Sequence, residues 1–241
     1  VQTPNQTDLK TLYTYNYKMV SILMPIYNGV EFIQESLPSI LAQTAPNWEL
    51  LIGINGYPAN SPVYQQVAAY SAAFNDARIK LMDFPQCKGK ASTLNQMISA
   101  CLYDYVAILD VDDIWLPMKL EAQLPFIATT EKYDVVGTKC VYFGELNNII
   151  PAIPTGDISQ FNFLENNPVI NSSALIKKDL AYWNSDWDGV EDYDLWLRLW
   201  REGRRFYNCE SVLVKHRIHR TSAFNAKGNN NHVAALKREH R

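Results

Sequence analysis

The sequence predicts an α/β fold, a mixed and mostly parallel central sheet with helices on both faces, and three observations carry that prediction. Apolar runs of strand length, Val20 to Ile26, Leu50 to Ile54 and Val106 to Leu109, are continuous rather than alternating, as in strands covered on both faces. Between them, apolar residues recur three and four apart, the helical period. The two kinds of segment alternate along the first half of the chain, which is the order of a parallel sheet with crossover helices.

Taken in order, residues 1–18 are polar without a clear period and read as a tail or lead-in. Val20 to Gly29 is a buried strand running into a turn, with Pro25 near its end and Asn28-Gly29 as the breaker. Phe32, Ile33, Leu37, Ile40 and Leu41 then give one apolar helix face. Glu49 to Asn55 is the second strand, and Ser61-Pro62 is an N-cap followed by a first helical position for a helix through about Phe74. Arg78 to Phe84 is a third strand. Lys88 to Leu102 carries a helical stripe of Leu94, Met97, Ile98 and Cys101. The run Tyr105 to Trp115 follows as a strand that ends in acid. Pro117 opens a helix with Leu120, Leu124 and Ile127 on one face, and Tyr133 to Phe143 returns as a strand. The Pro, Asn and Gly residues of 147–171 predict loops over the crevice. Ser173 to Ile176 is a short strand, Tyr193, Trp196, Leu197 and Trp200 mark an amphipathic helix, and Phe206 to Val214 is a last strand leading into Lys215 to Arg220. The segment from Lys227 to Asn231 reads as mobile, with a short helix from His232.

The chain has 241 residues and 47% hydrophobic composition, enough to bury a full core in one large domain. A formal net charge of -3 offers no basic excess for nucleic acid, so none is expected as a partner. The longest apolar runs fall well short of the roughly 18 residues of a spanning helix, so no transmembrane segment is expected. A soluble, cytoplasmic protein is the expectation, or one at the cytosolic face of a membrane if the chain belongs to a longer one. Cys87, Cys101, Cys140 and Cys209 have no metal-ligand spacing and read as reduced core thiols. Asn5-Gln6-Thr7 and Asn171-Ser172-Ser173 match the glycosylation sequon, a pattern too short to carry weight here.

Three acids in four residues, Asp110, Asp112 and Asp113, stand where strand ends open onto the ligand crevice of an α/β sheet. Like charges about 4 Å apart repel by roughly 4 kcal/mol per pair at an effective dielectric of 20, so a positive partner is required. A divalent cation holding phosphate oxygens is one answer; a solvated acidic loop capping the next helix is the other. Glu191 and Asp192 open the amphipathic helix, where the macrodipole favours an ionised proton acceptor. The competing explanation is a capping box between Asp188 and Glu191. His216, Arg217, His219 and Arg220 offer imidazole ligands and phosphate forks, or a solvated basic turn. Trp183 and Trp187 could stack on a sugar or simply pack. Gly89-Lys90-Ala91-Ser92 is not a P-loop, because Phe84 stands where its first Gly belongs.

In this order and at these separations, four segments resemble family 2 glycosyltransferases of the GT-A fold, from about Val20 to Ser222. They are the opening strand Val20 to Gly29, Ser39 to Thr44, the D-x-D segment Leu109 to Glu121, and the E-D helix Glu191 to Leu199. The resemblance implies one GT-A domain over 19–222, with a nucleotide-binding half at 19–115 and an acceptor-binding half at 116–222, followed by a mobile 223–241. It implies inverting transfer of a sugar from a nucleotide-diphosphate donor, a UDP-sugar, to a carbohydrate, lipid-linked or protein hydroxyl. By the same resemblance Asp110 lies near the donor ribose, Asp112 binds the divalent metal with Asp113 as a neighbouring candidate, and Asp192 is the catalytic base supported by Glu191. Pro25, Tyr27 and Asn28 hold the base, Gly89 and Asn95 line the nucleotide pocket, and Arg217 and His219 close over the diphosphate. His219 as an added metal ligand would favour Mn²⁺ over Mg²⁺. One departure stands out: Ile54-Asn55-Gly56 occupies the place of two acids before a Gly, so Asn55 or a backbone group must replace the usual base contact. Two rival readings are a nucleotidyltransferase, whose Gly-rich loop is missing after the first strand, and a non-catalytic module binding a nucleotide sugar or a partner.

Overall fold

Four parallel strands stand side by side, three of them apolar on both faces and the other, at the edge, only partly buried, and a helix returns the chain between them. In the computed structural model, which describes residues 19–128, 133–220, 222 and 229–241, these are β1 (Val20–Ile26), β2 (Trp48–Asn55), β3 (Ile79–Phe84) and β4 (Tyr105–Ile108). All are parallel, in the order β3-β2-β1-β4. The expectations for residues 1–18 and for the first sequon lie outside the described residues.

Helices α1 (Ile33–Leu41), α2 (Pro62–Ala72) and α3 (Lys90–Ala100) make the connections. The Ser61 hydroxyl accepts from the Tyr64 N–H at 3.2 Å, and Pro62 follows it, as the sequence predicts for a helix start. Side chains of successive β1 residues go to opposite sides. Val20, Ile22, Met24 and Ile26 pack with Leu37 and Ile40 of α1 and Val67 of α2, whereas Leu23 packs with Leu94 and Met97 of α3. Both faces of the sheet are therefore covered. Pro25 is tolerated inside a central strand for a geometric reason. Leu23 gives its carbonyl to Leu109 on the β4 side, so Pro25, two residues on, turns its missing N–H to that side after the β1–β4 ladder has ended.

Beyond β4 the sheet becomes mixed. After a turn at 110–113 come β5 (Ile114–Trp115), α4 (Lys119–Ala128), β6 (Val135–Gly144), β7 (Gly156–Asp157), β8 (Leu175–Lys177), α5 (Glu191–Arg201), β9 (Phe206–Ile218) and α6 (Asn230–Glu239). The order continues β4-β8-β6-β9-β5, with β8 antiparallel to β4 and β6, β9 parallel to β6, and β5 antiparallel to β9. Two boundaries differ from expectation. The acidic run is not one strand, because Ile114 and Trp115 leave β4 to pair with Lys215 and Val214. Strand β9 continues through Ile218, so Lys215 to Ile218, read as a lead-out, are ladder residues. A bulge opposite Thr138 to Cys140 re-aims this second half of β9.

Of the C-terminal segment read as mobile, residues 223–228 lie outside the described residues; the helix expected from His232 is α6, which starts at Asn230 and is anchored by a fully buried Leu236. The four cysteines are buried and free. No helix among the described residues is long and apolar enough to cross a membrane.

Candidate active site

The ends of β1, β2 and β4, the start of α3, the start of α5 and the second half of β9 converge on one edge of the sheet. Lys90, the first residue of α3, ties two of these together. Its Nζ lies 2.5 Å from Asp110 Oδ1 and 3.6 Å from Glu191 Oε1. Burial works against the ammonium, but the carboxylates of Asp110, Glu191 and Asp192 outweigh it and hold the Lys90 pKa above its usual range. The positive charge required beside the acids is thus supplied in part by the protein itself.

Asp110 is fixed on three sides. Besides Lys90, Asn171 Nδ2 donates to its Oδ2 at 3.0 Å, and its own N–H donates to Ser172 Oγ at 3.1 Å. Asn171, dismissed in the sequence as a chance sequon, serves here as a support for the acid. Asp112 lies partly exposed, with Oδ2 2.9 Å from His219 Nε2. Burial first, and then the neighbouring Asp113 and Asp110 charges, push its pKa up to about 6.

Asp113 is placed differently from its neighbour. It is 1% exposed. Its Oδ1 accepts from the Arg217 backbone N–H at 2.8 Å and its Oδ2 meets His216 Nδ1 at 2.9 Å. Burial would raise its pKa, but the His216 charge and hydrogen bond overcome this and lower it, while His216 rises to about 9. Arg217 is likewise committed to the protein. Its Nε donates to the Asp112 carbonyl at 2.8 Å, its Nη2 meets Glu35 at 2.8 Å, and its guanidinium lies 4.4 Å from the Phe32 ring and 4.2 Å from Phe143.

At the start of α5 the capping-box explanation fails. The N-cap is Val190, and Asp188 instead accepts the Lys90 backbone N–H at 2.9 Å, capping α3 across 98 residues of sequence. Gly89 makes this approach possible: its φ is +87°, and a Cβ there would meet Asp188 Oδ1 at 2.6 Å. Glu191 Oε2 accepts from the Gly189 N–H at 2.5 Å and the side chain is buried. Asp192 receives Asn167 Nδ2 at 3.3 Å on its Oδ2. Burial raises the pKa of both carboxyls, with Lys90 opposing. Asp192 is therefore a stronger base than an ordinary aspartate, placed at a helix N-terminus beside a cation.

Tyr27, 55% exposed, and Asn28, also exposed, extend from the end of β1, and the Tyr27 ring lies 5.6 Å from that of Tyr57. Ile54 is fully buried in the core, and Asn55 is 3% exposed. Asn95 faces away from an open pocket role. Its Nδ2 donates to the Trp183 carbonyl at 2.7 Å, and its Oδ1 accepts the Trp183 N–H at 2.9 Å. Trp183 itself is fully buried and Trp187 packs against the same cluster, so packing accounts for both. Lys90, Asn167 and Asn171 were missed as site residues in the sequence, and His216, read there as a possible imidazole ligand, is paired with Asp113 instead. The one available signal was the unbalanced charge of the acids, which does not say where a cation will come from.

Among the described residues no three His, Cys, Asp or Glu side chains stand together as a metal cage. Asp112 and His219 nevertheless present one carboxylate oxygen and one imidazole nitrogen side by side. Two protein ligands of these types fit a divalent cation that takes its other ligands from phosphate and water.

Comparison with known proteins identifies the family and the fold. The family described as Glycosyl transferase family 2 matches residues 21–182. A putative glycosyltransferase, EpsE of Bacillus subtilis (strain 168), is 33% identical over 206 residues, 81% of this chain and 72% of its own length. The Escherichia coli protein WfgD, named as a UDP-Glc:alpha-D-GlcNAc-diphosphoundecaprenol beta-1,3-glucosyltransferase, is 28% identical over 85% of this chain and 79% of its own. In structure, S. aureus TarS 1-349 in complex with UDP superposes with a TM-score of 0.70 at 15% identity, covering 92% of this chain. This chain spans 65% of that one. The mannosyltransferase PcManGT from Pyrobaculum calidifontis, in complex with GDP-Man and Mn²⁺, gives 0.70 at 16% identity, covering 95% of this chain and 69% of its own. At these identities the two structures speak for the fold.

Proposed function

The chain belongs to glycosyl transferase family 2, and from that premise we propose that it moves a sugar from a UDP-sugar to an acceptor hydroxyl with inversion at the anomeric carbon. The observation that carries this reading is the Lys90 bridge, with Nζ 2.5 Å from Asp110 and 3.6 Å from Glu191, which joins the donor-end acids to the helix bearing Asp192. Acids 81 residues apart in sequence thereby share one reaction space.

Asp192 takes the proton as the acceptor O–H bond breaks, and the acceptor oxygen bonds to the anomeric carbon. The bond from that carbon to the diphosphate oxygen breaks with its electron pair, which leaves on the nucleoside diphosphate. A single displacement from the opposite face inverts the centre. Lys90 tempers the rise in the Asp192 pKa, and Glu191, near Lys90 and bonded to the Gly189 N–H, supports the start of α5. Asp110, held by Lys90 and Asn171, presents a carboxylate toward the donor ribose. Tyr27, beside Tyr57, offers an aromatic face for the base, with Pro25, Asn28, Asn55 and Gly89 around it. When bound, a Mn²⁺ or Mg²⁺ ion supplies Lewis-acid neutralisation of diphosphate charge, with Asp112 and His219 as its protein ligands. Asp113, His216 and Arg217 hold the 110–113 turn that aims Asp112, and Asn95 secures the Trp183 segment against α3. The donor occupies the 19–115 half and the acceptor the 116–222 half.

UDP is favoured over GDP because WfgD, at 28% identity, is named for UDP-glucose, whereas TarS with UDP and PcManGT with GDP-mannose, at 15% and 16%, weigh equally. A thermal-shift panel of UDP, GDP and their sugars, with Mn²⁺, Mg²⁺ or EDTA, tests donor and cation together. UDP with a divalent ion should raise Tm and EDTA should cancel the gain; stabilisation by GDP alone overturns the donor. Proton NMR of the transferred product should show the anomeric configuration opposite to the donor's, and retention overturns the single displacement.

A further inference from the structure

Beside Asn167, which donates to Asp192 Oδ2, the 147–171 loops form an open cleft of about 380 Å³, within the range of roughly 300–1,000 Å³ typical of small-ligand sites. Two chain segments line it, Ile153 and Pro154 in one and Phe161, Glu165, Asn166 and Asn167 in the other. The walls are fixed from below by one buried carboxamide. Asn208 Nδ2, on β9, donates to the Pro154 and Pro168 carbonyls, each at 2.8 Å. Gly137 on β6 leaves the space this needs, since a Cβ there would come within 2.2 Å of Asn208 Oδ1. The outer wall is tied to α6, where Lys237 Nζ donates to the Glu165 carbonyl at 2.8 Å. These are loops held open over a fixed floor.

The floor leads to the base. Asn167 lines the cavity and its Nδ2 donates to Asp192 Oδ2 at 3.3 Å, while its Oδ1 accepts the Val169 N–H at 3.2 Å. Asn167 is thus oriented from both ends and stands one side chain away from the proton acceptor. The chemistry of the lining is divided. Ile153, Pro154 and Phe161 give an apolar flank suited to the C–H face of a pyranose, and the exposed Glu165 and Asn166 give acceptors and donors for its hydroxyl edge.

We propose that this cleft is the acceptor site, that it binds a terminal pyranose between Phe161 and Ile153, and that Asn167 sets how far the attacking hydroxyl reaches toward Asp192. The proposal rests on the reading of Asp192 as the base of a glycosyl transfer. A free sugar chain and a lipid-linked sugar share this terminal ring, so the probes must separate the two.

Protein carrying ¹³C-methyl isoleucine is titrated with methyl and octyl glycosides of glucose, galactose, N-acetylglucosamine and mannose, without donor. At least one should move the Ile153 δ1 methyl saturably and leave that of Ile79 on β3 unmoved, with the octyl form binding more tightly if the acceptor is lipid-linked. Phe161→Ala should weaken that binding about tenfold. Glu165→Gln, a change at an exposed side chain that spares the fold, should weaken it by a smaller factor. The cleft assignment is overturned if no glycoside moves Ile153, or if neither variant weakens a shift that is seen. UDP with Mn²⁺ is tested on the same sample. Nucleotide binding without any Ile153 shift rejects the cleft alone, whereas an Ile153 shift without nucleotide binding supports the cleft and rejects the donor assignment.

Discussion

Replacing Lys90 by Met removes a cation of nearly the same length and leaves Asp110, Glu191 and Asp192 facing one another. The Lys90 Nζ lies 2.5 Å from Asp110 and 3.6 Å from Glu191. At an effective dielectric of 20, unit charges 3.6 Å apart attract by roughly 5 kcal/mol, and more at the shorter distance. Desolvation offsets much of this, so the expected cost is that of breaking a buried pair, about 3–5 kcal/mol. About a quarter of each side chain in the Lys90–Asp110 pair is exposed, at 26% and 22%, which puts the loss near the lower end. For a chain of this size that corresponds to a fall in Tm of about 6–12 °C. The pH dependence is diagnostic. Lys90 opposes the upward pKa shifts of Glu191 and Asp192, so in Lys90→Met both carboxyls rise further and pick up protons more readily when folded than when unfolded. A raised folded pKa gives stability that is present at low pH and lost as pH climbs, so the Tm deficit should be large at pH 8 and shrink toward pH 5. The acid limb of the pH–rate profile should move to higher pH for the same reason. Differential scanning calorimetry across that range decides it, and a deficit that is absent or independent of pH would refute the role given to Lys90.

Asp192→Asn should keep UDP binding in calorimetric titration and lose about 10²–10⁴-fold in kcat, since an amide cannot accept the proton; transfer at the wild-type rate would reject Asp192 as the base. Asp112→Ala should abolish the divalent-ion dependence of UDP binding, read as a Tm shift that no longer responds to EDTA. Gly89→Ala forces a Cβ to within 2.6 Å of Asp188 Oδ1 at a φ of +87°, and should cost about 1–3 kcal/mol in urea unfolding, with Asp188→Ala costing about 1 kcal/mol through the lost α3 cap. Lys119 is fully buried, with Nζ 2.7 Å from Gln123 Oε1 and 4.0 Å from the Trp115 ring, and burial pushes its pKa down to about 7. The folded state therefore resists a proton that the unfolded chain accepts between about pH 7 and 10, so stability should rise with pH across that window and the rise should flatten in Lys119→Met.

The strand ends and the acids were legible in the sequence because their signals are local. Continuous apolar runs mark β1, β2 and β4, and helical spacing marks α5. The order of elements places the ends of β1, β2 and β4, and with them Asp110 and Asp112, at one edge of a sheet before any coordinate is known. The Ser61-Pro62 helix start was readable for the same reason, since a cap acts within three residues. Local resemblance misled where the partner was distant. Asp188 and Glu191 have the spacing of a capping box, yet Asp188 caps α3 instead, and Lys215 to Ile218 look like a solvated turn until β6 and β5 are found on either side of them.

The sequence by itself determined which segments are buried, their alternation, and the presence of acid at strand and helix ends, because these follow from hydrophobic period and chain order. Only the tertiary structure decided what neutralises that acid and how each carboxylate is used. Lys90 reaches Asp110 and Glu191, His216 takes Asp113 out of solvent, His219 is left beside Asp112, and Asn167 connects Asp192 to a cavity. Those pairings join residues from 20 to more than 100 positions apart, and electrostatic interactions depend on distance in space, which the pleat, the bulge in β9 and the packing of α3 and α5 on the 185–187 turn establish.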